Sequence, residues 1–209
     1  MGLPSLSGIV LGETAMPLTN PPPDAIAGLS LSEIAQMAAD GRLPPVEKWD
    51  PDHCGDSVMR IAADGQWWHE GSPIGRVALV RLFSTVLRRE PDGGHVLVTP
   101  VEKLSITVED APFIAVEMES EGEGEARRLA FRTNVGDLVI AGPDRPLTIE
   151  DRGHGEHPYL RVRGGLDALV ARPVYYELAN LALDEQPGPD GRTGLWSDGA
   201  FFALEPASA

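Results

Sequence analysis

The chain has a single cysteine, Cys54, among 209 residues. One thiol cannot close an internal disulfide, so stability must come from a packed core, as suits a reducing compartment. No apolar run reaches the length of about 18 residues that a membrane-crossing helix needs. Basic residues are scarce as well: 17 Lys and Arg stand against 32 Asp and Glu, a formal net charge of −15. Neutralising a nucleic-acid backbone takes clustered cations, and an anionic membrane surface repels such a chain. Neither a DNA or RNA polymer nor a membrane is therefore an expected partner. A small anion remains allowed, because a few guanidinium groups outweigh distant acids at short range. The apolar stretch SGIVLG near the start has no basic residue before it, which argues against a secretory signal. Together these absences fit a cytoplasmic protein.

What is present is the composition of a folded protein, 42% hydrophobic and 23% charged. Residues 1–24, ending in NPPPD, read as a lead segment, residues 25–100 as an N-terminal α+β half and 101–209 as a C-terminal α+β half. In LSLSEIAQMAADGRLPP, Ser30 or Ser32 can cap a short helix that Gly41 and Pro44 end. SVMRIAADGQWWHE reads as a hairpin about Asp64–Gly65, with Trp67 and Trp68 on opposite strand faces. The segment GSPIGR follows, with Ser72 read as an N-cap and Pro73 as the first turn of a helix to about Arg88. Alternation predicts strands over 95–99, 104–109, 113–119, 127–133 and 137–141. GPDRP and EDRGHGEHP read as loops, a second helix is expected over 173–184, and GLWSDGAFFALE as a last hairpin.

The chain also echoes itself. Shifted by one hundred residues, Met59–Phe83 lies over Tyr159–Leu183, with Asp64–Gly65 on Gly164–Gly165 and Ser72–Pro73 on Arg172–Pro173. The expected fold is α+β, built of two related hairpin–helix–antiparallel-sheet units with a cleft between them, and such clefts are favoured ligand sites.

CGDSVMRIAADGQWWHEGSPIGRVALVRLFSTVLRRE, TPVEKLSITVEDAPFIAVEME and FRTNVGD resemble a family of bacterial proteins known as domain of unknown function 1285. The resemblance covers residues 28–205. It implies a duplicated core whose C-terminal half is superficially like a pleckstrin-homology fold. It also implies a ligand site between the halves for a nucleotide-like molecule, and a role in signal transduction.

The candidate site residues are chosen for anion chemistry. Gly71, Gly75 and Arg76 are the part of GSPIGR that helix initiation leaves unexplained, since Ala171 and Tyr175 replace the glycines in the echo. A cation in a first helical turn opposes the macrodipole unless an anion sits there; pairing of Arg76 with Glu70 or Asp56 is the bland alternative. The lysine and Ser/Thr of a P-loop are missing. Arg161 and Arg163 share one strand face by period two, Arg60 sits on the first hairpin, and Arg172 starts the second helix. Thr133 and Asn134 lie at a strand end, where short polar groups commonly satisfy a turn. Of Tyr175 and Tyr176, one packs and the other is free to stack on a planar ligand. These residues read as a non-catalytic module for a small anionic, nucleotide-like ligand, with no catalytic residue, cofactor or metal assigned. Two other readings stand beside it: a hydrolase using His69 and an acid, and a protein-interaction scaffold using open sheet or the Trp67/Trp68 surface. His154 and His157 lack a third metal ligand, and Cys54 reads as a small buried residue.

Overall fold

Asp64 and Gly65 turn the chain for the first time. Asp64 Oδ1 accepts the Gln66 amide at 2.9 Å, and Gly65 takes φ +80°, a conformation open to glycine at little cost. In the computed structural model, which describes residues 46–205, this turn joins β1 (Cys54–Ile61) to β2 (Trp67–His69). The lead segment 1–24 and the helix expected near Ser30 lie outside the described residues.

The next element differs from expectation. Glu70 and Gly71 both take positive φ, 48° and 78°, and form a tight hairpin turn, so Ser72–Pro73 is a short strand, β3, paired with β2. The helix α1 begins four residues later, at Val77–Thr85, with Arg76 as its N-cap residue and no side-chain cap. It ends before β4 (Leu87–Arg89), which the helical periodicity had absorbed. β5 (His95–Val98) and β6 (Lys103–Val108) complete a sheet of order β3-β2-β1-β6-β5-β4. β6 lies beyond the division at 100/101 and still belongs to the first sheet.

The second sheet comprises β7 (Phe113–Glu121), β8 (Arg128–Thr133), β9 (Leu138–Ile140), β10 (Leu147–Asp151), β11 (Glu156–Arg163) and β12 (Leu166–Val170). Its order is β10-β11-β12-β7-β8-β9, which is the order of the first sheet with every strand advanced by six. Each sheet is two antiparallel three-stranded ribbons joined by a parallel central pair, β1 with β6 and β7 with β12. The duplication is therefore real, but its step is about 60 residues rather than one hundred. The hundred-residue echo overlays β1 and β2 on β11 and β12, hairpins at different places in their sheets. It arose because a hairpin followed by a helix occurs twice. α1 links β3 to β4, whereas the matching β9–β10 link is a turn closed by a Gly142–Arg145 bridge. A turn cannot cross six strands laid flat, about 24 Å, so the second sheet curls until its edges approach.

α2 (Arg172–Asp184) has Pro173 in its first turn, as expected, and buries Val174, Leu178 and Ala182. The hairpin β13 (Gly194–Ser197) and β14 (Ala200–Ala203) is tied to the second sheet by Ser197, whose hydroxyl accepts the Leu129 amide and donates to the Ala141 carbonyl. One continuous apolar core runs from Ile61, Trp67 and Leu97 through Phe113 and Phe131 to Leu160, Leu178 and Leu195. The two sheets thus share their interior. Among the described residues no helix is long and apolar enough to cross a membrane.

Candidate functional site

Between the sheets opens a cavity of about 540 Å³. Strand register decides its first wall: β4 sets Arg89 opposite His95, and β5 sets His95 opposite Ile106. The same ribbon sends Leu87 and Leu97 into the core. The second wall comes from β10–β12, where Arg161 pairs across the ladder with Asp167 and Arg152 follows the end of β10. Asp110 and Pro112, from the link between the sheets, and Gly93, Gly94 and Gly165 complete the lining.

Asp167 is the centre of this arrangement. It is 5% exposed in a strand otherwise made of Leu166, Ala168, Leu169 and Val170, and a carboxylate buried there needs partners. Arg161 Nε donates to it at 2.5 Å, Arg152 Nη2 donates at 2.8 Å, and Arg89 Nη1 stands 3.9 Å away. Arg152 also donates to Glu150 at 2.8 Å and stacks 3.7 Å over the Tyr159 ring. The Tyr159 hydroxyl donates to Asp110 at 2.8 Å; burial first, and this bond second, push the phenol pKa up. Burial opposes ionisation of Glu150, but hydrogen bonds from Thr148 and Arg152 win and hold its carboxyl below the usual range. Burial, and then the neighbouring Arg89 charge, lower the His95 pKa from 6.5, so its imidazole is neutral at pH 7.

The acids of this wall and Arg152 are already engaged, whereas Arg89 and Arg161 are only partly used. Arg89 donates once, to the Gly165 carbonyl at 3.2 Å, and Arg161 once, to Asp167. A guanidinium carries five N–H donors, so both retain several for a ligand.

Of the arginines expected from sequence, only Arg161 lines this cavity. Arg60 pairs with Glu109 and lies 5.1 Å over the Trp68 ring. Arg163 pairs with Asp137, donates to the Ser84 carbonyl at 2.8 Å and covers Phe113, which fastens α1 to the second sheet. A bulge between Arg161 and Arg163 shifts the register by one residue, and the two side chains take different partners. Arg76 and Arg172 are exposed at the starts of α1 and α2, away from the cleft. The five arginines do not converge.

Thr133 is buried and accepts the Asp137 amide, and Asn134 accepts the Ile114 amide at 3.0 Å, so both serve backbone. Tyr175 is partly buried against the core, and Tyr176 is exposed. Gly71 is explained by its hairpin turn. His69 is exposed at the end of β2 and does not line the cavity between the sheets. Cys54 is exposed rather than buried. Among the described residues no cluster of three His, Cys, Asp or Glu side chains is placed to hold a metal ion.

A smaller cavity, about 230 Å³, lies beside α1 and is lined in part by Asn134 and by the remaining candidate, Gly75. Its other walls include Trp67, Ile74, Val80 and Arg81.

Arg89, His95, Arg152 and Asp167 were not anticipated. One signal existed: an aspartate inside the apolar run GLDALV has to be paired, and the Gly164–Gly165 turn sets Arg161 across from it. Nothing in the sequence brings Arg89 to the same carboxylate.

Two sheets of one topology, each with a central parallel pair and both sharing a core, define a duplicated two-domain α+β protein. The chain belongs to the DUF1285 family: the model for "Domain of unknown function (DUF1285), N-terminal domain" matches residues 44–111, and that for "Protein of unknown function (DUF1285), C-terminal domain" matches 112–204. It is similar to the crystal structure of a DUF1285 family protein from Silicibacter pomeroyi DSS-3, with 43% identity over 83% of this chain and 94% of that one, at TM-score 0.73. A second, from Shewanella baltica OS155, is 27% identical over 60% of this chain and 92% of that one, at TM-score 0.48. No curated protein matches the chain.

Proposed function

We propose that this protein is a non-catalytic binding module that takes a small anionic ligand of nucleotide-like size in the cleft between its two sheets. The carrying observation is the convergence of Arg89, Arg152 and Arg161 on the buried carboxylate of Asp167, with donors left over on Arg89 and Arg161. Asp167 orients the forks without saturating them, which is how a fixed receptor for phosphate or carboxylate is built. The volume of about 540 Å³ is in the range of small-molecule sites. One wall comes from each domain, so occupancy is felt by both, as a signal-transducing module requires.

The test is a thermal-shift screen with nucleotides, cyclic dinucleotides and phosphorylated metabolites, followed by calorimetry on any hit. Arg89→Ala and Arg161→Ala are each expected to weaken binding by about tenfold or more, the value of a charged hydrogen bond. Absence of binding across the panel, or binding indifferent to both substitutions, refutes the proposal. Turnover of a bound compound would make the protein an enzyme instead, and stabilisation only by a co-purified protein would make it a scaffold.

A further inference from the structure

The lining of the cleft between the sheets carries as many negative charges as positive ones. Arg89, Arg152 and Arg161 stand against Asp110, Glu150 and Asp167, and burial keeps the His95 imidazole neutral. Three cations less three anions leave no net charge, in a chain whose formal charge is −15. A polyanion is therefore a poor fit, because its further charges meet acids rather than free cations at short range.

The charges still available lie at two poles. At one, Arg89 and Arg161 keep spare donors, and their side chains are 40% and 39% exposed, so a ligand can reach them. Among the acids, Asp167 accepts from Arg161 on one oxygen and from Arg152 on the other, and Glu150 likewise from Thr148 and Arg152. Asp110 differs. Its Oδ1 accepts the Tyr159 hydroxyl, whereas Oδ2 has no partner among the described residues and is not one of their buried unpartnered atoms, so solvent reaches it. Strand geometry sets the poles apart. Arg89 lies opposite His95 and His95 opposite Ile106, and from Ile106 the chain reaches Val108 and then Asp110 in steps of two residues. Four residues of extended chain span at most about 13 Å. Between the poles the lining includes apolar side chains, Ile106, Val108 and Pro112.

We infer that the ligand of this cleft is zwitterionic, with an acid group held by Arg89 and Arg161, a protonated amine held by Asp110, and a short apolar body between them. This ligand class rests on the binding role proposed above and narrows it: the anionic ligand also carries a cation. An ammonium group donates up to three hydrogen bonds, and Asp110 Oδ2 takes one while Tyr159 fixes the carboxylate through Oδ1. The planar guanidinium forks suit a carboxylate or a single phosphoryl group at the other end. The carbons of the body lie against Ile106, Val108 and Pro112.

The test uses ω-amino acids of four, six and eight carbons, with the alkanoate and the alkylamine of each length as comparators. Each is titrated into the full chain labelled with nitrogen-15 while the amide signals of Gly94 and Gly165, which line the cleft, are followed. The best-fitting amino acid is expected to move them saturably, with an affinity at least about tenfold above those of its alkanoate and its alkylamine. Asp110→Asn, whose carbonyl can still accept the Tyr159 hydroxyl, is expected to erase the advantage over the alkanoate and leave alkanoate affinity unchanged. A merely structural role of Asp110 would not separate the two. Arg161→Ala is expected to weaken both acids by about tenfold. If every alkanoate binds as tightly as its amino acid, or if Asp110→Asn keeps the full advantage, the zwitterionic ligand is refuted while the anion site stands. Inorganic phosphate that moves the signals through Arg161 when no amino acid does so has the same meaning. If no anion moves them, the binding role proposed above falls as well. The comparison of amino acid with alkanoate needs no substitution, so it decides the question even where Asp110→Asn does not fold.

Discussion

Replacing Asp167 with asparagine keeps the side-chain shape and removes the one charge on which three arginines converge. Removing one partner of a buried ion pair commonly costs about 3–5 kcal/mol. Here the carboxylate is buried, but the side chains of Arg152, Arg161 and Arg89 are 25%, 39% and 40% exposed, so water recovers part of their solvation. The expected loss is therefore smaller, about 2–3 kcal/mol. For a chain of this size that corresponds to a melting point lower by about 5–10 °C. Calorimetry or urea unfolding of Asp167→Asn against the parent reads it directly. The same reasoning makes a second, sharper demand. With the internal carboxylate gone, added phosphate should bind among the guanidiniums and stabilise the variant more than the parent, in proportion to the logarithm of its concentration above Kd. A melting point within about 2 °C of the parent would refute the view that this carboxylate holds the arginines in place. So would a phosphate effect equal in both proteins.

Three further outcomes follow from the geometry. His95 has a folded pKa below its unfolded value of 6.5, so the unfolded chain binds the extra proton, and stability is lost as pH falls below about 6.5; His95→Gln is expected to flatten that limb in a melting-point-versus-pH series. Gly71→Ala should destabilise by about 1 kcal/mol because φ is +78° there, whereas Gly75→Ala, whose Cβ meets nothing within 4 Å, should be neutral to unfolding. Val58 is a β-branched residue at φ 54° and 57% exposed, in the bulged stretch of β1. Val58→Asn, which tolerates that backbone, should stabilise by about 1 kcal/mol in chemical denaturation, and a loss of stability would show that the valine makes a contact worth more than its strain.

Much of the architecture was legible from residues. The Asp64–Gly65 turn, the strands over 95–140, the Arg172–Pro173 helix start and the last hairpin are all local events, set by turn chemistry and alternation over a few residues. GSPIGR shows where that reasoning stops. Serine followed by proline suits a helix start, yet pairing with β2 extends the chain through Ser72–Pro73, and two positive φ angles at Glu70–Gly71 make a hairpin instead. Strand pairing outweighed local capping. The hundred-residue echo did not report the true duplication, whose step of about 60 residues is set by strand order, because sequence similarity marks elements of one kind and not their places in a sheet.

The sequence by itself determined the family, the α+β class, the net charge of −15, and the supply of arginines from which an anion site could be built. Only the tertiary structure decided which arginines meet. Arg89 and Arg161 come from different sheets, and they approach because the strand order sets β4 and β11 on facing walls of one cleft, where a single buried carboxylate draws both. Arg163, two residues from Arg161, is diverted by a one-residue bulge to Asp137 and the Ser84 carbonyl. A charge acts over a few ångströms, and distances that short between remote residues are made by packing.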